Sequence, residues 1–214
     1  MMFQNFYLNT AVILIISYLI GSFPSAYIAG RMKGINIYEE GSKNVGGMNT
    51  FTSVGRLAGI MVLITDIGKG ALVAYFASRF SNHIFIPLLA VVFAVIGHNW
   101  MIFIRFKGGK GVSTFLGGLL YLSPITFLFL YLLFVPIALF ILKDSYLSTA
   151  LGFFFFSFFL WIYERSIWWL IFGILITLVY CIKSFGLLKT YYTANRKDIS
   201  PVVKKIFKPF FKGI

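Results

Sequence analysis

The sequence predicts an all-α fold, a polytopic transmembrane helical bundle of seven segments with one of them short, on three observations. The 214 residues are 59% hydrophobic, with a mean hydropathy of +0.89. Only 12% are charged, against about 25% in soluble globular chains. Long apolar stretches recur along the chain, and most of the basic residues fall in every other gap between them and in the carboxyl-terminal tail. That hydrophobicity excludes intrinsic disorder, and no repeat fits a collagen or coiled-coil architecture. Cys181 is the single cysteine, which excludes an internal disulfide framework and a cysteine-based zinc site. With two histidines in total, no protein-held transition metal is expected. One integral membrane domain over residues 1–214 remains, ending in a basic tail at 186–214.

A hydrocarbon core about 30 Å thick needs roughly 20 mainly apolar residues per helix. Leu8–Gly30 comes first, with no cation ahead of it to mark a signal peptide. Leu57–Ala77 and Ile84–Ile104 follow. Val112–Leu142 is too long for one simple span and carries a turn signal at Ser123-Pro124. Tyr146–Tyr163 and Ile167–Phe185 complete the set, parted by Glu164-Arg165-Ser166.

Charge decides whether the long stretch counts once or twice. Loops Arg31–Arg56 and Arg105–Lys110 are both basic and lie an even number of spans apart. The tail from Lys189 to Lys212 holds seven Lys or Arg against one Asp. The positive-inside rule puts all three on the cytoplasmic side only if the chain crosses an odd number of times. Splitting at Ser123-Pro124 gives seven segments, amino terminus outside and carboxyl terminus cytoplasmic. Val112–Leu122 is then a short segment packed against protein. Sixteen of the nineteen cations share the cytoplasmic face, where each favours anionic lipid by about 1 kcal/mol. No RNA-binding module or helix-turn-helix pattern appears, so nucleic acid is not an expected partner.

Two of the basic loops have a composition suited to phosphate. The first reads Gly41-Ser42-Lys43-Asn44-Val45-Gly46-Gly47-Met48-Asn49-Thr50. Its glycines permit positive φ, and its short polar side chains and N–H groups can wrap an anion. The second reads Phe106-Lys107-Gly108-Gly109-Lys110-Gly111-Val112-Ser113-Thr114 and opens the short segment. Glycines before a helix start, with two lysines, gather backbone donors, a helix dipole and point charges. The spacing is not that of a Walker A loop. Within the bilayer, Asp66 and Lys69 share a helix face at i, i+3. Charges at that depth are costly and usually functional, though a neutralising pair that braces the bundle is an equal reading. His98 sits near the second loop, either as a donor to substrate or as a structural partner. The Phe153–Phe159 run reads as packing or lipid contact.

The ordered motifs Gly21-Ser22-Phe23-Pro24, Gly41–Asn49, Asp66–Gly70, Gly97-His98 and Phe106–Thr114 resemble the acyl-phosphate:glycerol-3-phosphate acyltransferases of the PlsY type. Their pattern is G-S-x-P, G-S-G-N-x-G-A-T-N, D-x-x-K-G, G-H and F-K-G-G-K-G-V-A-T. The likeness covers about half of the chain, through Ser123-Pro124. The resemblance implies a seven-helix protein of the bacterial cytoplasmic membrane with its site on the cytoplasmic face. It implies acyl transfer from acyl phosphate to the 1-hydroxyl of glycerol 3-phosphate, giving lysophosphatidic acid and phosphate. It implies no cofactor, coenzyme A or acyl carrier protein. The implied partners are acyl phosphate, glycerol 3-phosphate and membrane lipid, with the oligomeric state left open.

Carried onto this sequence, the candidate catalytic residues are Ser42, His98 and Lys110. The candidate phosphate- and substrate-binding residues are Gly41, Asn44, Gly46, Asn49, Lys69, Lys107, Gly108, Gly109, Gly111, Ser113 and Thr114, with no metal ligand. Thr52 stands where the family usually has Arg, and Tyr38 where an Arg is common. Asn195-Arg196-Lys197-Asp198-Ile199 replaces the family's H-R-x-N-I, and the Glu that follows that motif has no counterpart. Two other readings stay open at this point: a paralogue that binds acyl phosphate or phospholipid without efficient turnover, and a transporter of a phosphorylated metabolite.

Overall fold

The structure, a computed structural model, describes residues 2–142 and 145–194. Residues 143–144 and 195–214 lie outside it, and with them most of the basic tail, including Asn195 and Asp198. Every regular element among the described residues is helical. Two compact units are distinguished, Met1–Phe127 and Leu128–Ile214.

The first unit begins with α1 (Met2–Gly21) and α2 (Ser25–Met32). The expected span Leu8–Gly30 falls within one apolar run, Phe6–Met32, in which α1 and α2 are parted by a break at Ser22–Pro24. Pro24 has no N–H to continue the helix, and the Ser25 N–H turns to the Phe23 carbonyl at 3.1 Å. The Gly21 carbonyl loses its helical donor as a result. A short α3 (Gly47–Ser53) precedes the long α4 (Arg56–Phe80). Next come α5 (Phe85–Asn99), a 3-10 turn at Ile102–Ile104, and α6 (Val112–Leu122). The boundary expected at Ser123-Pro124 falls where α6 ends and α7 (Pro124–Phe129) starts.

Small residues bring these helices together. A side-chain carbon on Gly70 would overlap the Thr114 carbonyl, and one on Gly117 would overlap that of Ile67. Backbones of α4 and α6 therefore touch, as small-residue seams in membrane bundles allow. Gly21 and Gly97 do the same for α1 and α5, against Ala94 and Tyr18. Ala74, Ala90, Val91 and Ala94 are fully buried in this layer. The outward faces carry exposed Leu, Ile and Phe, such as Ile15, Ile64 and Phe76, the inverse of a soluble protein.

The second unit contains α8 (Val135–Leu142), α9 (Ser145–Glu164) and α10 (Ile167–Ala194). A π turn at Leu130–Phe134 stands before Pro136, whose missing N–H disturbs the i→i−4 ladder. Within this unit Gly173 of α10 lies against Ser157 of α9. The Phe153–Phe159 run splits between both expected roles, since Phe153 and Phe156 are buried while Phe154, Phe155 and Phe158 are exposed.

Among the described residues, five helical runs are long and apolar enough to cross a membrane: Phe6–Met32, Arg56–Phe80, Phe85–Ile104, Tyr146–Glu164 and Ile167–Gly186. Val112–Leu122 is apolar but shorter. At about 1.5 Å per residue, eleven residues reach roughly half of the hydrocarbon core.

Candidate active site

Three buried ionisable side chains meet where α1, α4 and α5 converge. Asp66, Lys69 and His98 are exposed by 1%, 5% and 3%. Lys69 Nζ lies 2.9 Å from Asp66 Oδ1 and donates to the carbonyls of Gly21 and Phe23, both at 3.1 Å. Those are the carbonyls exposed by the helix break at Pro24. A cation at the carboxyl end of α1 also opposes that helix's dipole. Asp66 Oδ1 accepts from Ser25 Oγ at 2.7 Å, and Lys69 Nζ is 3.2 Å from His98 Nδ1. Lys69 is thus held inside the bundle by a carboxylate, two carbonyls and an imidazole nitrogen. Ser25 escaped the sequence reading, although a serine beside a proline inside an apolar span was a usable signal.

The second loop closes over the end of α5. Gly109 N–H donates to the His98 carbonyl at 3.0 Å. A side-chain carbon on Gly108 would overlap the His98 carbonyl and stand 2.7 Å from that of Asn99. Only a glycine fits at that close approach. Arg105 and Phe106 both adopt positive φ, at 57° and 58°, and turn the chain back from the 3-10 segment. Gly111, with φ +75°, leads into α6. Lys107 is exposed, Lys110 and Ser113 are half-buried, and Thr114 is buried with no hydrogen-bond partner for Oγ1 among the described residues.

The first loop is built around Asn49, which is 3% exposed. Its Oδ1 accepts from the Ser42 N–H at 3.0 Å and Ser53 Oγ at 3.3 Å. Its Nδ2 donates to the carbonyls of Ile37 at 3.3 Å and Glu40 at 3.1 Å. Asn49 therefore ties the loop's own turns together. Gly41, with φ +53°, has no room for a side chain beside Asn49 and Ser53. Ser42 is exposed and Asn44 half-buried, its Oδ1 sealed without a partner among the described residues. Gly46 caps the start of α3 and accepts from Thr50 Oγ1 at 3.0 Å. Thr52 Oγ1 bonds back to the carbonyls of Met48 and Asn49, each at 3.2 Å.

The loops are joined in two places. Lys107 Nζ stands 5.5 Å from the Tyr38 ring centroid, within cation–π range. Burial first, and then the neighbouring Tyr27, hold the Tyr38 phenol above its ordinary value, so the ring stays neutral under the lysine. Second, His98 Nε2 and the Val45 carbonyl border the same point, where a side chain on Gly109 would have to sit. The Val45 turn of one loop and the Gly109 turn of the other thus meet at His98.

Beside it runs a groove of about 630 Å³ between α2 and α4. Phe23, Ile28, Ala29, Leu57 and Met61 line it, with Lys33 and Arg56 at one end and Ser25 and Thr65 at the other. Ala29 and Val54 of the wall also pack on the buried cluster of Ile37, Val45 and Val62, so groove and first loop share a partition. Among the described residues no group of three or more His, Cys, Asp or Glu is placed to hold a metal.

Apolar membrane-length helices, two glycine-rich loops and a buried Asp–Lys–His cluster beneath them define an integral membrane protein with a polar loop junction at the end of its helices. Residues 11–190 match the family model described as glycerol-3-phosphate acyltransferase. A protein of Dehalococcoides mccartyi named glycerol-3-phosphate acyltransferase 2 is 37% identical over 177 residues, covering 82% of this chain and 84% of the relative. A glycerol-3-phosphate acyltransferase of Bacillus subtilis is 46% identical over 143 residues, covering 66% and 72%. A crystal structure of PlsY, an integral membrane glycerol 3-phosphate acyltransferase, in its glycerol 3-phosphate form superposes with a TM-score of 0.77 at 26% identity. That match spans 93% of this chain and 99% of the other. The lysophosphatidic acid form of PlsY gives 0.74 at 27% identity, spanning 87% and 93%. The chain belongs to the glycerol-3-phosphate acyltransferase family.

Proposed function

We propose that the protein transfers an acyl group from acyl phosphate to the 1-hydroxyl of glycerol 3-phosphate at a membrane surface. The observation that carries this reading is the docking of both glycine-rich loops onto one point at His98. Both substrates bear a phosphate and one bears a hydrocarbon chain, and the molecule offers two phosphate-suited loops beside an apolar groove. Family membership supports the acceptor, and the groove supports a lipid-like donor.

The chemistry needs little beyond placement and charge. The acceptor hydroxyl oxygen bonds to the acyl carbon, the carbonyl π electrons move to oxygen and return, and the carbon–oxygen bond to phosphate breaks. Phosphate leaves with that electron pair, and the hydroxyl proton passes to a phosphate oxygen. Backbone N–H groups of Gly108, Gly109 and Gly111, with Lys107, Lys110, Ser113 and Thr114, would hold one phosphate and the charge that develops on it. Gly41, Ser42, Asn44 and Gly46 would hold the other substrate. His98 would act as a hydrogen-bond donor, because its Nδ1 faces the Lys69 ammonium. The loops lie on the cytoplasmic face of a bacterial inner membrane under the seven-segment, amino-terminus-out topology that the charge bias supports.

Purified protein in lipid vesicles, given labelled glycerol 3-phosphate and palmitoyl phosphate, should form lysophosphatidic acid, and Lys110→Ala should lower turnover about 100-fold or more. Product from palmitoyl-CoA alone would overturn the donor. Binding without product would replace catalysis with a binding role, and vesicle accumulation without acylation would replace it with transport.

The groove gives a separate expectation. Ala29→Trp fills it and should lower kcat/KM for palmitoyl phosphate at least tenfold while sparing a short-chain acyl phosphate. Equal losses for both donors would place the chain elsewhere. The comparison uses initial rates over a donor chain-length series.

A further inference from the structure

The Lys69–His98 contact fixes more than a brace. An ammonium carries three N–H donors and accepts nothing. Lys69 Nζ is surrounded by four acceptor positions: Asp66 Oδ1 at 2.9 Å, the Gly21 and Phe23 carbonyls at 3.1 Å, and His98 Nδ1 at 3.2 Å. A neutral amine would leave the buried Asp66 carboxylate without a counter-charge, whereas the ammonium 2.9 Å away neutralises it and shares its three N–H groups among these acceptors. With Lys69 charged, His98 Nδ1 must offer a lone pair. The ring is then neutral, with its proton on Nε2, because the bond made by one imidazole nitrogen sets the state of the other. The 3.8 Å separation of His98 Nδ1 from Asp66 Oδ1 is too long for a competing hydrogen bond.

That proton lies at the joint of the site. Nε2 and the Val45 carbonyl border the place where a Gly109 side chain would stand, and Gly109 N–H is held by the His98 carbonyl at 3.0 Å. The imidazole thus meets both loops through a donor edge whose orientation is decided on its far side.

We infer that Lys69 is a positioning residue: by holding His98 as the Nε2–H tautomer it sets the seat on which the Gly108–Gly109 turn meets the Val45 turn. Lys69 touches neither substrate. The assignment rests on the acyl-transfer reading of the two loops, and it gives the buried pair a task beyond mutual neutralisation.

The test uses full-length protein in lipid nanodiscs with 15N-labelled histidine, in a His83→Gln background so that His98 is the only imidazole observed. His98 should show a protonated Nε2 and an unprotonated Nδ1 at neutral pH. Lys69→Met alone leaves Asp66 unpaired and threatens folding, so the comparison variant is Asp66→Asn/Lys69→Met, which removes both charges and keeps an acceptor for Ser25. In that variant the tautomers should mix, and KM for the phosphate substrates should rise about 10- to 100-fold, the range of one lost hydrogen bond to a charged group, with kcat changed less. A protonated Nδ1 in the unmodified site overturns the inference. So does a double variant with the same tautomer, or with unchanged KM. The nitrogen spectrum needs no turnover, so this inference fails separately from the acyl-transfer reading, which falls if the unmodified protein makes no lysophosphatidic acid.

Discussion

Gly108→Ala is expected to cut acyl transfer about 100-fold or more while leaving helix content unchanged. The added methyl would overlap the His98 carbonyl and lie 2.7 Å from the Asn99 carbonyl. Both are backbone atoms at the end of α5, so no flexible side chain can yield. The loop must lift instead, carrying Lys107, Gly109 and Lys110 with it, and displacement of reacting groups by about 1 Å costs on the order of 100-fold. Gly68→Ala is the matched control. It lies on the exposed side of α4 with nothing within 4 Å of the new carbon. Alanine there should leave turnover unchanged and raise stability by at most about 1 kcal/mol. Parallel assays in vesicles, with circular dichroism of the same preparations, decide the comparison. Equal loss in both variants would refute the docking geometry.

The second large effect is on stability. Lys69→Met should destabilise the protein by about 3–5 kcal/mol, because it strands a buried carboxylate. The Gly21 carbonyl also loses the donor that replaced its helical one. Asp66→Asn/Lys69→Met should recover more than half of that loss, since an uncharged amide still accepts from Ser25 Oγ, now 2.7 Å from Asp66. Denaturant unfolding in a mild detergent measures both. If the double variant were as unstable as the single one, the penalty would come from lost packing and carbonyl capping rather than from an unpaired charge.

Hydropathy and charge exposed the architecture because a bilayer filters sequences harshly: an apolar run must close its own hydrogen bonds, and its flanking cations must choose a side. The boundary at Ser123-Pro124 was legible for the same reason. The break at Ser22–Pro24 was not, because a proline in an apolar run does not say whether the helix kinks or stops. Here it stops, since a lysine 45 residues later takes the freed carbonyls, as Lys69 Nζ and the Phe23 carbonyl at 3.1 Å attest. The loops were readable as motifs, but roles within them were not. Asn49 and Ser42 look alike in sequence as short polar groups in a glycine-rich loop. Only packing shows that Asn49 is spent on four contacts within its own loop while Ser42 is exposed. Lys69 and Lys110 likewise differ by burial, not by residue type.

The interrupted first span has a consequence for how such a protein can change. A break at Pro24 without Lys69 leaves the Gly21 carbonyl with no donor in an oil-like medium. Lys69 without the break leaves an ammonium with too few acceptors. Neither half survives easily without the other, so a single substitution at either position enters a valley, and the two must move together. A designer grafting the loops onto another helical scaffold inherits the same constraint. The proline, the lysine and its carboxylate on α4, and the histidine on α5 form one transplantable unit drawn from three separate stretches of chain. Copying the glycine-rich loops alone would transfer their sequence and not the floor that shapes them.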